Sequence, residues 1–161
     1  MRRLEKAGLG ALYALARLGR DIVWNVRRPT LIGVRGLVVR GGEVLLVRQR
    51  GRGDPWTLPG GGVDQHERME EAARREVYEE AGVAVRLERV LGVYDAFHGE
   101  FTNYIVVFVY AAAGAASPPR SLEIADARFF PLDALPDEVD PGSRRRIQEY
   151  LAGQIGLSAP W

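Results

Sequence analysis

The chain contains no cysteine. This excludes disulfides, thiolate metal sites and cysteine nucleophiles, and it fits a reducing compartment, so a cytoplasmic location is expected. Histidine is scarce. His66 and His98 are too few for a His-rich metal site, and both read as loop or surface positions. Long hydrophobic runs are missing too: with no stretch of about 18 apolar residues, no transmembrane segment is expected. Neither sign of charge dominates. The 22 basic and 21 acidic residues leave a net charge of +1, which gives no field for polynucleotide or acidic membrane. Stable nucleic-acid binding is therefore not expected. What remains is ordinary for a globular chain, 47% hydrophobic and 27% charged. Its 161 residues suffice for one domain with a proper core and an appendage.

Residues 61–83, GGVDQHERMEEAARREVYEEAGV, organise the rest. Glu76, Glu79 and Glu80 stand at i, i+3 and i+4, and on a helix of about 3.6 residues per turn they share one face. In water alone such neighbours repel. A hard divalent cation makes the cluster favourable, because it takes oxygen ligands and neutralises them. Gly60, Gly61 and Gly62 allow a tight loop and close approach of backbone to a ligand. The spacing predicts a helix from about Glu67 to Ala81, with Gly82 ending it in a left-handed cap. Ala73, Val77 and Ala81 form its narrow apolar stripe, facing away from the carboxylates.

Written as a pattern, Gly61, Glu67, Arg75-Glu76-Val77, Glu79-Glu80 and Gly82-Val83 read G-x5-E-x7-R-E-U-x-E-E-x-G-U, with U a bulky aliphatic residue. This resembles the Nudix box at every fixed position. The box covers 23 of the 161 residues. Trp56–Gly60 and Arg128–Leu132 also look like the family's flanking segments, which extends the resemblance over roughly residues 30–155.

The resemblance implies an α/β fold: a Nudix-like α/β/α sandwich with a mixed β-sheet, here with an extra N-terminal helix. It implies an enzyme that hydrolyses a nucleoside diphosphate linked to another group, with water attacking phosphorus and Mg²⁺ or Mn²⁺ as cofactor. It casts Glu79 and Glu80 as metal ligands and Glu76 as a ligand or the base that prepares the water. Arg75 becomes the residue that orients the carboxylates, with Glu79 its i, i+4 partner, and the Gly60 carbonyl a further ligand. Glu67 becomes a structural link between loop and helix.

Two domain-level segments are expected. Residues 1–28 carry Leu9, Leu12, Tyr13, Ala16, Leu18, Ile22, Val23 and Val26 at helical spacing, with seven basic residues against two acidic ones. They read as an amphipathic helix that packs on its own domain or joins a homodimer; a membrane surface is the alternative partner. Residues 29–161 form the Nudix domain. In it, residues 30–40 and 43–50 are expected as strands joined by a Gly41-Gly42 turn. Further strands follow at 83–94, 102–111 and 124–130, with a polar turn at 95–100. A helix is expected from Ser143 to about Ile155, capped by Ser143, with Arg144-Arg145-Arg146 as a solvated charge run.

Arg35, Arg48 and Arg50 are candidates to grip substrate phosphates. Glu123 lies near where some relatives of the box place an extra catalytic carboxylate. Tyr94, Phe97, Phe101 and Tyr104 could stack on a base. The expected substrate is a small nucleotide. Two readings compete with the enzyme: a silent nucleotide-binding or regulatory module, and a membrane-surface or assembly protein acting through residues 1–28.

Overall fold

The computed structural model describes residues 30–161 except 52, 99–100, 115 and 117–122. The expected N-terminal helix, residues 1–28, lies outside the described residues. Among those described, the order is β1 (Thr30–Arg40), β2 (Glu43–Gln49), β3 (Trp56–Thr57), α1 (Met69–Ala81), β4 (Val85–His98), β5 (Phe101–Ala112), β6 (Ile124–Pro131), α2 (Pro141–Leu151) and β7 (Leu157–Pro160).

The sheet is mixed and runs β3-β2-β1-β5-β4-β7, with β6 paired to β2. β1 lies parallel to β5 and β4 parallel to β7, while the remaining pairs are antiparallel. Gly41 and Gly42, at φ +55° and +87°, make the tight turn between β1 and β2. β5 is central, and its run Ile105–Tyr110 is buried on both faces, as its unbroken β-branched and aromatic sequence predicts.

Each face of the sheet carries a core. On one side the α1 stripe of Ala72, Ala73, Val77 and Ala81 packs against Val34, Val38, Val106 and Phe108. On the other, Ile147 of α2 joins Leu37, Leu46, Trp56, Leu58 and Leu91. Each fully buried Val, Leu or Ile in these clusters contributes about 1.5–3 kcal/mol relative to exposure. The alanines bring α1 close to β1. A Cβ on Gly36 would fall 2.6 Å from Val77 Cγ2, so glycine is required at that crossing. This is the expected α/β/α sandwich, and no helix among the described residues is long and apolar enough to cross a membrane.

Several expectations are corrected. The helix α1 begins at Met69 rather than Glu67, and Glu67 stays in the preceding loop, its carboxylate bridging the Asp64 N–H and Arg75 of α1. The polar stretch from Asp95 does not turn at once. Asp95, Ala96 and Phe97 stay on β4 because they pair with Tyr104, Asn103 and Thr102. The loose alternation of β4 has its cause in two register shifts, at Leu87/Arg89 and Val90/Gly92. The last helix starts two residues before Ser143. Asp140 is its cap, accepting from Ser143 N–H at 2.8 Å, and Pro141 opens the first turn. Ser143 Oγ instead accepts from Leu58 N–H, tying α2 to the loop before the glycines. That helix ends at Leu151, and residues 157–160 add a strand that the sequence reading did not foresee. Arg146 is not solvated. It is 2% exposed, stacks 3.9 Å from the Tyr94 ring centroid, and binds Glu149 and the Pro160 carbonyl.

Candidate active site

The site forms where the glycine loop lies along β1. Val34 N–H donates to the Gly61 carbonyl and Gly36 N–H to the Pro59 carbonyl, both at 2.9 Å. At Gly60 the loop cannot carry a side chain at this approach. Gly60 sits at φ +148°, and a Cβ there would fall 2.1 Å from the Val34 carbonyl oxygen. A Cβ on Gly61 would fall 2.5 Å from Glu76 Oε1. The glycines therefore let the loop press against both β1 and the carboxylates of α1.

The three carboxylates share a face, yet the fold makes them unequal. Glu80 is buried, Glu76 is mostly covered with its side chain 16% exposed, and Glu79 is half-exposed at 52%. Glu80 Oε2 accepts from the Gly60 N–H at 2.9 Å. Burial pushes the Glu80 carboxyl up to about 7, against the opposing pull of that hydrogen bond and of the Arg35 charge. Glu76 and Glu123 push it the same way as burial.

Arg75 holds the face together. Its guanidinium forks onto Glu67 at 2.8 and 2.9 Å, reaches Glu76 at 2.8 Å, and donates to the Gly62 carbonyl at 3.2 Å. Glu79, the expected partner, stands further off at 3.6 Å. The fork and the Asp64 N–H hold the Glu67 carboxyl down at about 2, and the same carboxylates raise the Arg75 pKa. Glu67 thus links loop to helix, the structural place the sequence pattern implied.

The other candidates divide. Arg35 joins the cluster: burial lowers its pKa, while Glu80, Glu76 and Asp140 act to keep it charged. Glu123 lies close enough for its charge to act on Glu80. Arg48 turns away, over the Trp56 ring at 4.6 Å and towards Glu138 at 3.9 Å. Arg50 donates to the Ile124 carbonyl. Of the aromatics, Tyr94 is buried in the core, whereas Phe97 and Tyr104 are exposed. Asp140 was missed as a neighbour of Arg35. Its signal was local: an Asp immediately before a proline that opens a helix.

The donor set consists of carboxylate and carbonyl oxygens, which suits a hard divalent cation better than a soft one. Glu80 fits such an ion, because a buried carboxylate held at about 7 lacks a full counter-charge. The side chains are not preassembled as a cage. Among the described residues, no three Asp, Glu or His groups converge on one point. Glu76 is directed to Arg75 and Glu80 to the Gly60 N–H.

A two-helix sandwich that presses a glycine loop onto a carboxylate-bearing helix defines a Nudix-type domain. A family model described as the NUDIX domain matches residues 29–150. The chain belongs to this family and carries a Nudix hydrolase domain. It is 46% identical over 65 residues to diphosphoinositol polyphosphate phosphohydrolase 2 of Rattus norvegicus, a span of 40% of this chain and 36% of that protein. The chain thus spans little more than a third of that relative's length. A MutT NUDIX hydrolase from Burkholderia pseudomallei superposes with a TM-score of 0.66 at 27% identity, covering 74% of this chain and 97% of that one. A NUDIX hydrolase from Nitrosomonas europaea superposes at 0.71, with 22% identity and coverage of 80% and 93%, a likeness of fold.

Proposed function

We propose that residues 29–161 hydrolyse the pyrophosphate linkage of a nucleoside diphosphate derivative, with water attacking phosphorus and Mg²⁺ or Mn²⁺ required. The observation that carries this reading is the joining of Glu76, Glu79 and Glu80 to the Gly60–Gly62 loop through Arg75 and the Gly60 N–H. Glu76, Glu79, Glu80 and the Gly60 carbonyl would hold the cation. When bound, the cation supplies Lewis acidity, offsetting phosphoryl charge and lowering the pKa of water.

The chain's own residues do the rest. Glu76 is a ligand or takes the proton of the attacking water. Arg75 is a positioning residue: through Glu67 and the Gly62 carbonyl it fixes both the helix face and the loop. Arg35 reaches the substrate's phosphate charge from β1, beside Glu80. Arg48 and Arg50 would serve substrate binding only after leaving their present partners, whereas Glu123 already lies within electrostatic reach of Glu80. The substrate is a small nucleotide, since no basic stripe for polynucleotide exists in the sequence.

A second substrate class has its own support. Relatives that share 46% and 53% identity over short spans are named diphosphoinositol polyphosphate phosphohydrolases. A diphosphate on a polyphosphorylated inositol offers the same linkage to the same carboxylates. The deciding assay presents nucleoside triphosphates, nucleotide sugars, dinucleoside polyphosphates and a diphosphoinositol polyphosphate with Mg²⁺, with Mn²⁺ and with chelator. Metal-dependent release of a nucleoside monophosphate is expected. Inorganic phosphate from the inositol substrate alone selects the second class. Tight binding of nucleotides with no release from any compound overturns the enzyme in favour of the silent module.

A further inference from the structure

Six large apolar side chains are exposed on one face of the sheet. The register of β4 on β5 sets Leu87 beside Tyr110, Val90 beside Phe108, Val93 beside Val106 and Phe97 beside Thr102. The register of β1 on β5 sets Ile32 beside Tyr104. Val106, Phe108 and Tyr110 belong to the α1-side core, so Ile32, Leu87, Val90, Val93, Phe97 and Tyr104 all lie on the α1 face. The two register shifts in β4 keep 87, 90 and 93 on that face despite their spacing of three. Their exposures run from 36% at Leu87 to 65% at Phe97. α1 packs over β1, β5 and β6, and the six lie where the face is left open among the described residues. A contiguous apolar stripe of this kind marks a covered or docking surface.

What covers it is argued from the chain that precedes Thr30. That chain enters the sheet at the stripe itself: Thr30 pairs with Thr102, which pairs with Phe97. Leu9 to Val26 carries apolar residues at helical spacing, and as a helix of 18 residues it would be about 27 Å long. From Leu87 to Phe97 the strand covers about 33 Å at roughly 3.3 Å per residue, so such a helix would span most of the stripe. Charge is complementary as well. Residues 1–28 hold seven of the 22 basic and two of the 21 acidic residues, leaving 15 basic against 19 acidic in the remainder. Asp95, on the same face beside Tyr104, lies near the end where Arg27 and Arg28 lead into β1.

We propose that this face is a docking site within the chain and that its occupant is the segment 1–28 of the same chain. The surface is an intramolecular docking site, and the proposal is independent of the hydrolase reading.

The absence of cysteine makes the test direct, because a single introduced thiol is the only one to label. Val90→Cys, and separately Val93→Cys, are treated with a maleimide in the full chain, with Gln148→Cys on the exposed side of α2 as reference. At concentrations where light scattering shows monomer, both thiols are expected to react at least about tenfold more slowly than the reference. Adding Leu12→Asp and Ile22→Asp should restore fast labelling while Ala73→Cys, beneath α1, stays unreactive. If the Asp pair exposes Ala73→Cys as well, Leu12→Ala with Ile22→Ala gives the same readout without a buried charge. Labelling as fast as the reference overturns the proposal. So does protection that disappears on dilution but survives the Leu12 and Ile22 substitutions, which assigns the face to a second copy. Protection that requires phosphatidylserine-containing vesicles assigns it to a membrane and overturns the proposal equally.

Discussion

Arg75 shows how much one side chain carries at this site. Its planar fork serves Glu67, Glu76 and the Gly62 carbonyl at once, which lysine, a single point charge, cannot do. Arg75→Lys should therefore lower kcat by roughly tenfold or more and weaken the apparent Mg²⁺ affinity, as loss of a group that orients ligands typically does. Metal titration of turnover checks this; an unchanged metal dependence would reduce Arg75 to a structural role. Glu67 gives the matching pH prediction. Its folded carboxyl is held at about 2 by Arg75, below the ordinary value of 4.5, so its contribution is present above pH 4.5 and lost as pH falls towards 2. Melting temperature plotted against pH should fall through that window in the native chain and less steeply in Glu67→Gln. Parallel curves would deny the linkage. The sequence pattern identified these residues and their common helix face. It could not rank the carboxylates, because burial of Glu80 and exposure of Glu79 depend on how deeply the helix seats beneath the Gly60 loop.

At the scale of elements, the contact between α1 and β1 rests on a glycine meeting a valine. Gly36→Ala should destabilise the domain by about 1–3 kcal/mol, the usual cost of overpacking. In a Val77→Ala background the obstructing methyl is gone, so the same change should cost less. Thermal unfolding of the four members of that cycle measures the coupling, and additive losses would contradict the contact. Asp140→Ala should cost about 1 kcal/mol through the lost cap of α2. A melting temperature unchanged from the native chain would show that the Asp140 cap contributes nothing to α2. The long elements were legible because period and propensity agreed in them, as in Tyr104–Tyr110 and the stripe of α1. Those that were not legible depend on distant partners. Asp95–Phe97 stay extended because β5 pairs with them, and Leu157–Pro160 become a strand because β4 offers an edge.

Seen as a whole molecule, the domain uses its two sheet faces differently. The α2 face is closed by an aromatic and cationic cluster in which Arg146 sits between Tyr94 and Trp161 and binds the carbonyl of Pro160, fastening the C-terminal strand. A triple-arginine run gives no local sign of this, since only the helix phase decides which of the three turns inward. At the edge of the α1 face the glycine loop meets the carboxylates, and Arg35, which alternation on β1 turns towards the α2 side, acts on Glu80 and Glu76 by its charge. On the proposed function, this carboxylate face binds a divalent cation and thereby hydrolyses a pyrophosphate linkage. The most direct measurement is turnover of the best substrate by the native chain, Glu79→Gln and Glu80→Gln across a Mg²⁺ titration. A fall in kcat of at least about a hundredfold in both variants is predicted, the scale of losing an electrostatic stabiliser of the transition state. Near-native rates in both variants at limiting Mg²⁺ would contradict the account.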